Sequence, residues 1–150
     1  MKTIIALFLV LFSISFAQSS FAPDWKNCGG LVGWKTNNIT LDAAPVAGQN
    51  STFHICGTNK DLYAILFRDI RATSGDVLNV TFNNDTTVNW GASECFDLTL
   101  QIPQGTPQQI FVRFDLIGTV PREIGCANVT LNLANGTKYF RHHHFSSNEI

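Results

Sequence analysis

Residues 95–102 read CFDLTLQI, and their alternation decides the fold. Phe96, Leu98, Leu100 and Ile102 fall on one parity, and Asp97, Thr99 and Gln101 on the other. In an extended chain successive side chains point to opposite faces, so this is a strand with one face buried and one face wet. Residues 109–117, QIFVRFDLI, repeat the pattern with Ile110, Val112, Phe114 and Leu116 inward and Arg113 and Asp115 outward. Residues 51–56, STFHIC, set Phe53 and Ile55 against Thr52 and His54.

Glycosylation signals fix the inward parity of three further segments. Six N-x-T sequons occur, at Asn38, Asn50, Asn79, Asn84, Asn128 and Asn135. An asparagine and the threonine two residues on share a strand face, and a face that carries sugar must be wet. In LNVTF (78–82) this puts Leu78, Val80 and Phe82 inward, and in NVTLNL (128–133) Val129, Leu131 and Leu133. NITL (38–41) turns Ile39 and Leu41 inward. Clusters rich in Gly, Pro, Asn and Ser separate these runs: AAPVAGQNS, ATSGD, FNNDTT and IPQGTP read as turns. Leu62–Phe67 is apolar at every position, and Tyr63, Ile65 and Phe67 suit a strand covered on both sides. No long capped helical stripe is present. Short strands separated by turn signals predict an all-β antiparallel sandwich in a single domain.

The first 17 residues stand apart. MKTIIALFLVLFSISFA has an early Lys2, an apolar run from Ile4 to Phe16, and small residues at Ser15 and Ala17. That is the pattern of a secretory signal peptide cut after Ala17, too short and wrongly flanked for a membrane anchor. The reading divides the chain into a leader (1–17), a domain (18–140) and a polar tail (141–150). Without the leader, nine basic residues face eleven acidic ones, a net charge of −2. This balance excludes a nucleic-acid binder that relies on a basic surface. No polybasic cluster or hydrophobic tail predicts a lipid anchor.

Catalytic and metal signatures are missing from the pattern. C-x-x-C, H-E-x-x-H and phosphate-binding glycine loops do not occur, so no cofactor is expected. His142 and His144 in RHHHF would share a face if extended, but two ligands near a chain end read as a solvated tail rather than a metal site. His54, Asp69, Asp97 and Asp115 fall on outward strand positions, away from any paired-carboxylate arrangement. Four cysteines in an exported domain make two disulfides, with three connectivities open on spacing alone. The chain is therefore expected not to be an enzyme.

Three stretches carry a family resemblance: DWKNCGG (24–30), ITLDAAPVAGQNSTFHICG (39–57) and IFVRFDLIGTVPREIGCANVTLNL (110–133). They resemble the ML-domain lipid-recognition family, which includes the Niemann-Pick type C sterol carrier and the ganglioside activator. The matching features are an aromatic residue and a Cys-Gly after the leader, and Pro45 shortly before Gly48. A strand ending at Gly57 and the step Ile124-Gly125-Cys126 into the last strand complete them. The middle strands diverge. The resemblance implies an immunoglobulin-like β-sandwich with an apolar cavity between its sheets, a Cys28–Cys126 bridge, and Cys56–Cys95 as the second pair. It also implies a lipid ligand: a sterol, a fatty acid or a glycolipid acyl chain. Candidate wall residues, taken from strand parity, are Phe53, Ile55, Ile65, Phe67, Val80, Phe82, Leu98, Leu100, Val112 and Phe114, with Trp90 at a strand edge. A membrane or receptor protein would be the further contact, and the extracellular space or the lysosomal and endosomal lumen the destination. The competing reading is a glycosylated recognition or adhesion domain with a solid core.

Overall fold

The computed structural model describes residues 20–28, 33–119 and 123–134. The predicted leader, Asn135 and the histidines of the tail lie outside them. Among the described residues eight strands follow one another: β1 (Asp24–Asn27), β2 (Trp34–Leu41), β3 (Asn50–Asn59), β4 (Ile65–Ser74), β5 (Leu78–Val88), β6 (Ser93–Gln101), β7 (Gln109–Gly118) and β8 (Glu123–Asn132). All pairings are antiparallel. One sheet has the order β1-β8-β7-β4-β5 and the other β2-β3-β6. Packed face to face, they form an immunoglobulin-like sandwich.

The inward parity read from the alternating segments is the buried parity of the structure. Ile39, Leu41, Phe53, Ile55, Leu98, Leu100, Ile102, Ile110, Val112, Phe114, Leu116, Val129 and Leu131 are all buried. Two segments differ from expectation. FNNDTT does not turn; it continues β5 to Val88. β5 ends its sheet, and an edge strand tolerates Asn and Asp because one row of its backbone groups and much of its side-chain surface meet water. The apolar run Leu62–Phe67 is not one strand covered on both sides. Leu62 and Tyr63 sit in the β3–β4 turn, 77% and 76% exposed, and β4 begins only at Ile65. A register shift between Phe67 and Asp69 then switches the inward parity, so that Ile65 and Phe67 before it and Ile70 and Ala72 after it are all buried.

Trp34, at the start of β2, is held by two glycines. A Cβ on Gly57 of β3 would lie 2.5 Å from the indole Cε2 and Cζ2 atoms and from the Lys35 carbonyl oxygen. A Cβ on Gly125 of β8 would lie 2.9 Å from the Trp34 Cβ. The indole thus occupies volume that any other residue at 57 or 125 would fill. Both glycines belong to the stretches that carry the family resemblance.

Disulfides join Cys28 to Cys126 and Cys56 to Cys95, the pairing the resemblance implies. Cys28 continues the β1–β8 pairing, its N–H donating to the Cys126 carbonyl at 3.2 Å. Cys56 and Cys95 are direct cross-strand neighbours in β3 and β6.

Candidate functional site

The space between the sheets is built from rings and branched chains of both. Phe53 of β3 meets Phe114 of β7 with ring centroids 5.1 Å apart. Trp34 of β2 meets Phe67 of β4 edge-on at 5.0 Å, and Phe67 in turn meets Phe96 of β6 at 5.0 Å. At these points protein fills the gap, and a guest would have to displace rings that attract one another beyond their burial.

The two long sides of the sandwich differ. On one side the N-terminal segment laces the sheets together. Phe21 exchanges backbone hydrogen bonds with Leu41 of β2, both 2.8 Å, and a few residues later β1 pairs with β8 of the other sheet. The Asn27 side chain then closes on β2, donating to the Thr36 carbonyl at 3.1 Å and accepting from the Thr36 N–H at 3.2 Å. On the opposite side β5 and β6 are outer strands of separate sheets and do not pair. There Val80 and Phe82 are only half-buried, although both pack against the core. This side is a seam, apolar at Val80 and Phe82 and polar farther along at Asn84 and Thr86, which share their parity.

One end of the seam is tied by Asn59, fully buried. Its amide donates to the carbonyls of Tyr63 (2.8 Å) and Val88 (2.9 Å), and its oxygen accepts from the Asp61 N–H (2.8 Å). Its backbone also pairs with Gly91 and Ala92, so the β3–β4 and β5–β6 turns are held as one unit. Trp90 rides on the second turn and is 67% exposed. It is not in the inter-sheet core, which corrects its place among the wall candidates. The residue follows β5 in a turn whose Gly91 has φ of +71°, and strand parity does not extend across such a turn. Of the remaining candidates, Phe53, Ile55, Ile65, Phe67, Leu98, Leu100, Val112 and Phe114 are buried, with Val80 and Phe82 at the seam.

The outer face of the smaller sheet carries a row of cross-strand polar pairs. Thr52 and Thr99 hydroxyls lie 3.0 Å apart, and Thr58 and Ser93 hydroxyls 2.9 Å. Between them His54 bridges two carboxylates, Nδ1 to Asp97 and Nε2 to Asp42, both at 2.7 Å. Two carboxylate acceptors require both ring nitrogens to donate, which is the protonated imidazolium. The hydrogen bonds to Asp42 and Asp97 accordingly raise the His54 pKa above its ordinary value. Asp42 lies just beyond β2, and only the β2–β3 register, Leu41 against Phe53, brings it to His54. No local sequence pattern announces it.

Asp69 and Asp115 lie on the outer face of the larger sheet, where Arg113 binds Asp115 and, at 2.7 Å, Glu123. Asp115, Glu123 and Cys126 come close enough to surround an ion. The sulfur is committed to a disulfide, however, and both acids to Arg113.

Of the sequons, Asn38, Asn50 and Asn79 are exposed, and Asn128 is partly so. Asn84 falls on the inward parity of β5 at the seam, where its side chain accepts from the Thr86 N–H at 2.9 Å.

No family model matches the chain, and no curated protein does. Among solved structures the fold is similar to that of a Niemann-Pick type C2 protein from the Japanese carpenter ant. The TM-score is 0.56 at 12% identity, over 74% of this chain and 99% of that one. The likeness spans nearly the whole of the ant protein. It is a likeness of fold.

Proposed function

We propose that this chain is a lipid carrier: it takes an acyl chain or sterol between its sheets through the β5–β6 seam and releases it by the same route. The observation that carries the reading is the asymmetry of the sandwich, laced along β1–β2 and unpaired along β5–β6, with Val80 and Phe82 as an apolar sill. The likeness to a Niemann-Pick type C2 protein and the sequence resemblance to the ML-domain family both support it. Binding is non-covalent, each methylene that leaves water contributing about 0.8 kcal/mol. That gain offsets the displacement of core rings. The wall is formed by the buried candidates of β3, β4, β6 and β7 together with Val80 and Phe82; no catalytic group takes part. Export follows removal of residues 1–17, and several of the sequons carry N-glycans in the extracellular space or the lysosomal or endosomal lumen.

A second reading rests on the ring contacts that bridge the sheets: a glycosylated recognition domain with a solid core. Lipid extraction of the purified protein followed by mass spectrometry separates the two. A carrier yields bound sterol, fatty acid or glycolipid, and Phe82→Asp lowers that yield by placing a charge on the sill. Recovery of no lipid, together with no binding of fluorescent sterol or fatty-acid probes, rejects the carrier in favour of the recognition domain.

A further inference from the structure

The outer face of the larger sheet holds a groove of about 470 Å³, lined chiefly by Asp24, Lys26, Phe111, Arg113, Asn128 and Thr130. Volumes of this order accommodate small ligands. Phe111 is 66% exposed on β7, the one exposed large hydrophobic residue on a strand among the described residues; the others, Leu62, Tyr63 and Trp90, stand on turns. Exposure of a single apolar side chain means little by itself. Its neighbours give it meaning.

The β7–β8 register sets Phe111 directly opposite Thr130 and Arg113 opposite Asn128. Phe111 is therefore diagonal to Asn128 on the same face, a separation of about 7–8 Å that long or aromatic groups span. Asn128 and Thr130 are the first and third residues of a sequon. On the other flank β1 places Lys26 opposite Asn128 and Asp24 opposite Thr130. Arg113 could have covered the asparagine, but its guanidinium is drawn the other way along the strand, to Asp115 and Glu123. The space above Asn128 thus opens toward the phenyl ring.

We infer that this groove is the seat of an N-glycan attached at Asn128, whose first sugar packs its apolar face on Phe111 while Asp24 and Lys26 meet its hydroxyl and amide groups. A sugar ring presents C–H groups on one face, and burying them against an aromatic ring removes apolar surface from water on both partners. The glycan is held here at two points, covalently at Asn128 and by packing at Phe111. Entry into the secretory pathway is required, but lipid binding is not, so the inference stands or falls apart from the carrier reading.

The test uses the full chain, secreted from a eukaryotic host with its own leader. Peptide mass mapping gives occupancy at Asn128, and urea unfolding gives stability for wild type, Asn128→Gln, Phe111→Ala and the double variant. Phe111 is largely exposed, so its truncation leaves the fold intact. Thr130→Ala removes the glycan by a second route without altering the asparagine. The expected results are an occupied Asn128 and a coupling of about two- to tenfold in the folding equilibrium constant, the range for aromatic packing. Amide exchange in residues 109–113 should also be slower with the glycan present, and only when Phe111 is intact. An unoccupied Asn128, or glycan loss that costs the same with and without Phe111, overturns the inference. So does self-association of the glycosylated protein that Phe111→Ala abolishes, which would give the groove to a second copy of the chain.

Discussion

Replacing Gly57 by Ala adds one methyl group at the point where β2, β3 and the Trp34 indole meet. On an ordinary strand the exchange gains stability, because glycine loses about 0.5–1 kcal/mol more backbone entropy than alanine. At this site the new Cβ would stand 2.5 Å from two indole carbons and from the Lys35 carbonyl oxygen, well inside contact distance. The indole cannot swing clear. It is buried, with Gly125 behind its Cβ and Phe67 and Phe96 against its ring. The carbonyl belongs to the β2–β3 ladder, so moving it strains the register of the smaller sheet. Overpacking costs about 1–3 kcal/mol, and 2.5 Å contacts with both ring and backbone belong to the upper part of that range, about 2–3 kcal/mol. The balance is a net loss of about 1–2.5 kcal/mol after the entropic gain. Urea unfolding of the oxidised protein at neutral pH reads this as a lower midpoint with an unchanged slope. In a Trp34→Phe background the Gly57→Ala penalty shrinks but persists, because the Lys35 oxygen remains. A Gly57→Ala protein as stable as wild type, or a penalty untouched by Trp34→Phe, would refute the cradle.

Two further outcomes follow from the polar contacts. The His54 pKa is raised by Asp42 and Asp97, so the folded state binds the proton more tightly than the unfolded chain. The stabilisation is full below the unfolded value near 6.5 and fades as pH rises through the higher folded value. Urea midpoints measured from pH 5.5 to 9 should decline over that window in wild type, and a His54→Gln protein showing the same decline would assign it elsewhere. Asn59→Ala removes three hydrogen bonds and leaves the buried Val88 carbonyl without its side-chain donor, at a cost of about 2–3 kcal/mol. Amide exchange should speed up in both tied turns, 60–64 and 89–92, and acceleration confined to one would contradict the tie.

The fold was legible wherever the chain alternates over a half-buried face, as at Phe96–Ile102 and Ile110–Leu116, since one wet face and one dry face impose period two. The sequons sharpened this, for Asn38 and Asn79 are exposed beside buried Ile39 and Leu78. Legibility failed where neighbours far along the chain decide the outcome. Nothing in Asn83 or Asp85 tells that β5 is an edge strand able to carry them, so the run looked like a turn. Trp90 obeyed no parity because Gly91 reverses the chain there. Asp42 meets His54 only through strand register, and Asn59 gains its role from turns that precede β4 and β6. The division of the strands into five and three is likewise a property of long-range pairing, which local spacing does not encode.

The two disulfides bind within leaves and not across them. Cys28–Cys126 closes the rim of the larger sheet and Cys56–Cys95 clasps two adjacent strands of the smaller. An antibody-type domain instead pins its sheets to one another with the bridge. Here no disulfide spans the gap: its width is set by side-chain packing and, along the β1–β2 side, by the hydrogen bonds of Phe21 and Asn27. Each leaf resists fraying, yet along the unpaired β5–β6 side the gap between leaves can widen or relax without breaking a covalent bond. Covalent toughness and internal volume become independent variables, and sequence change can tune one while leaving the other untouched.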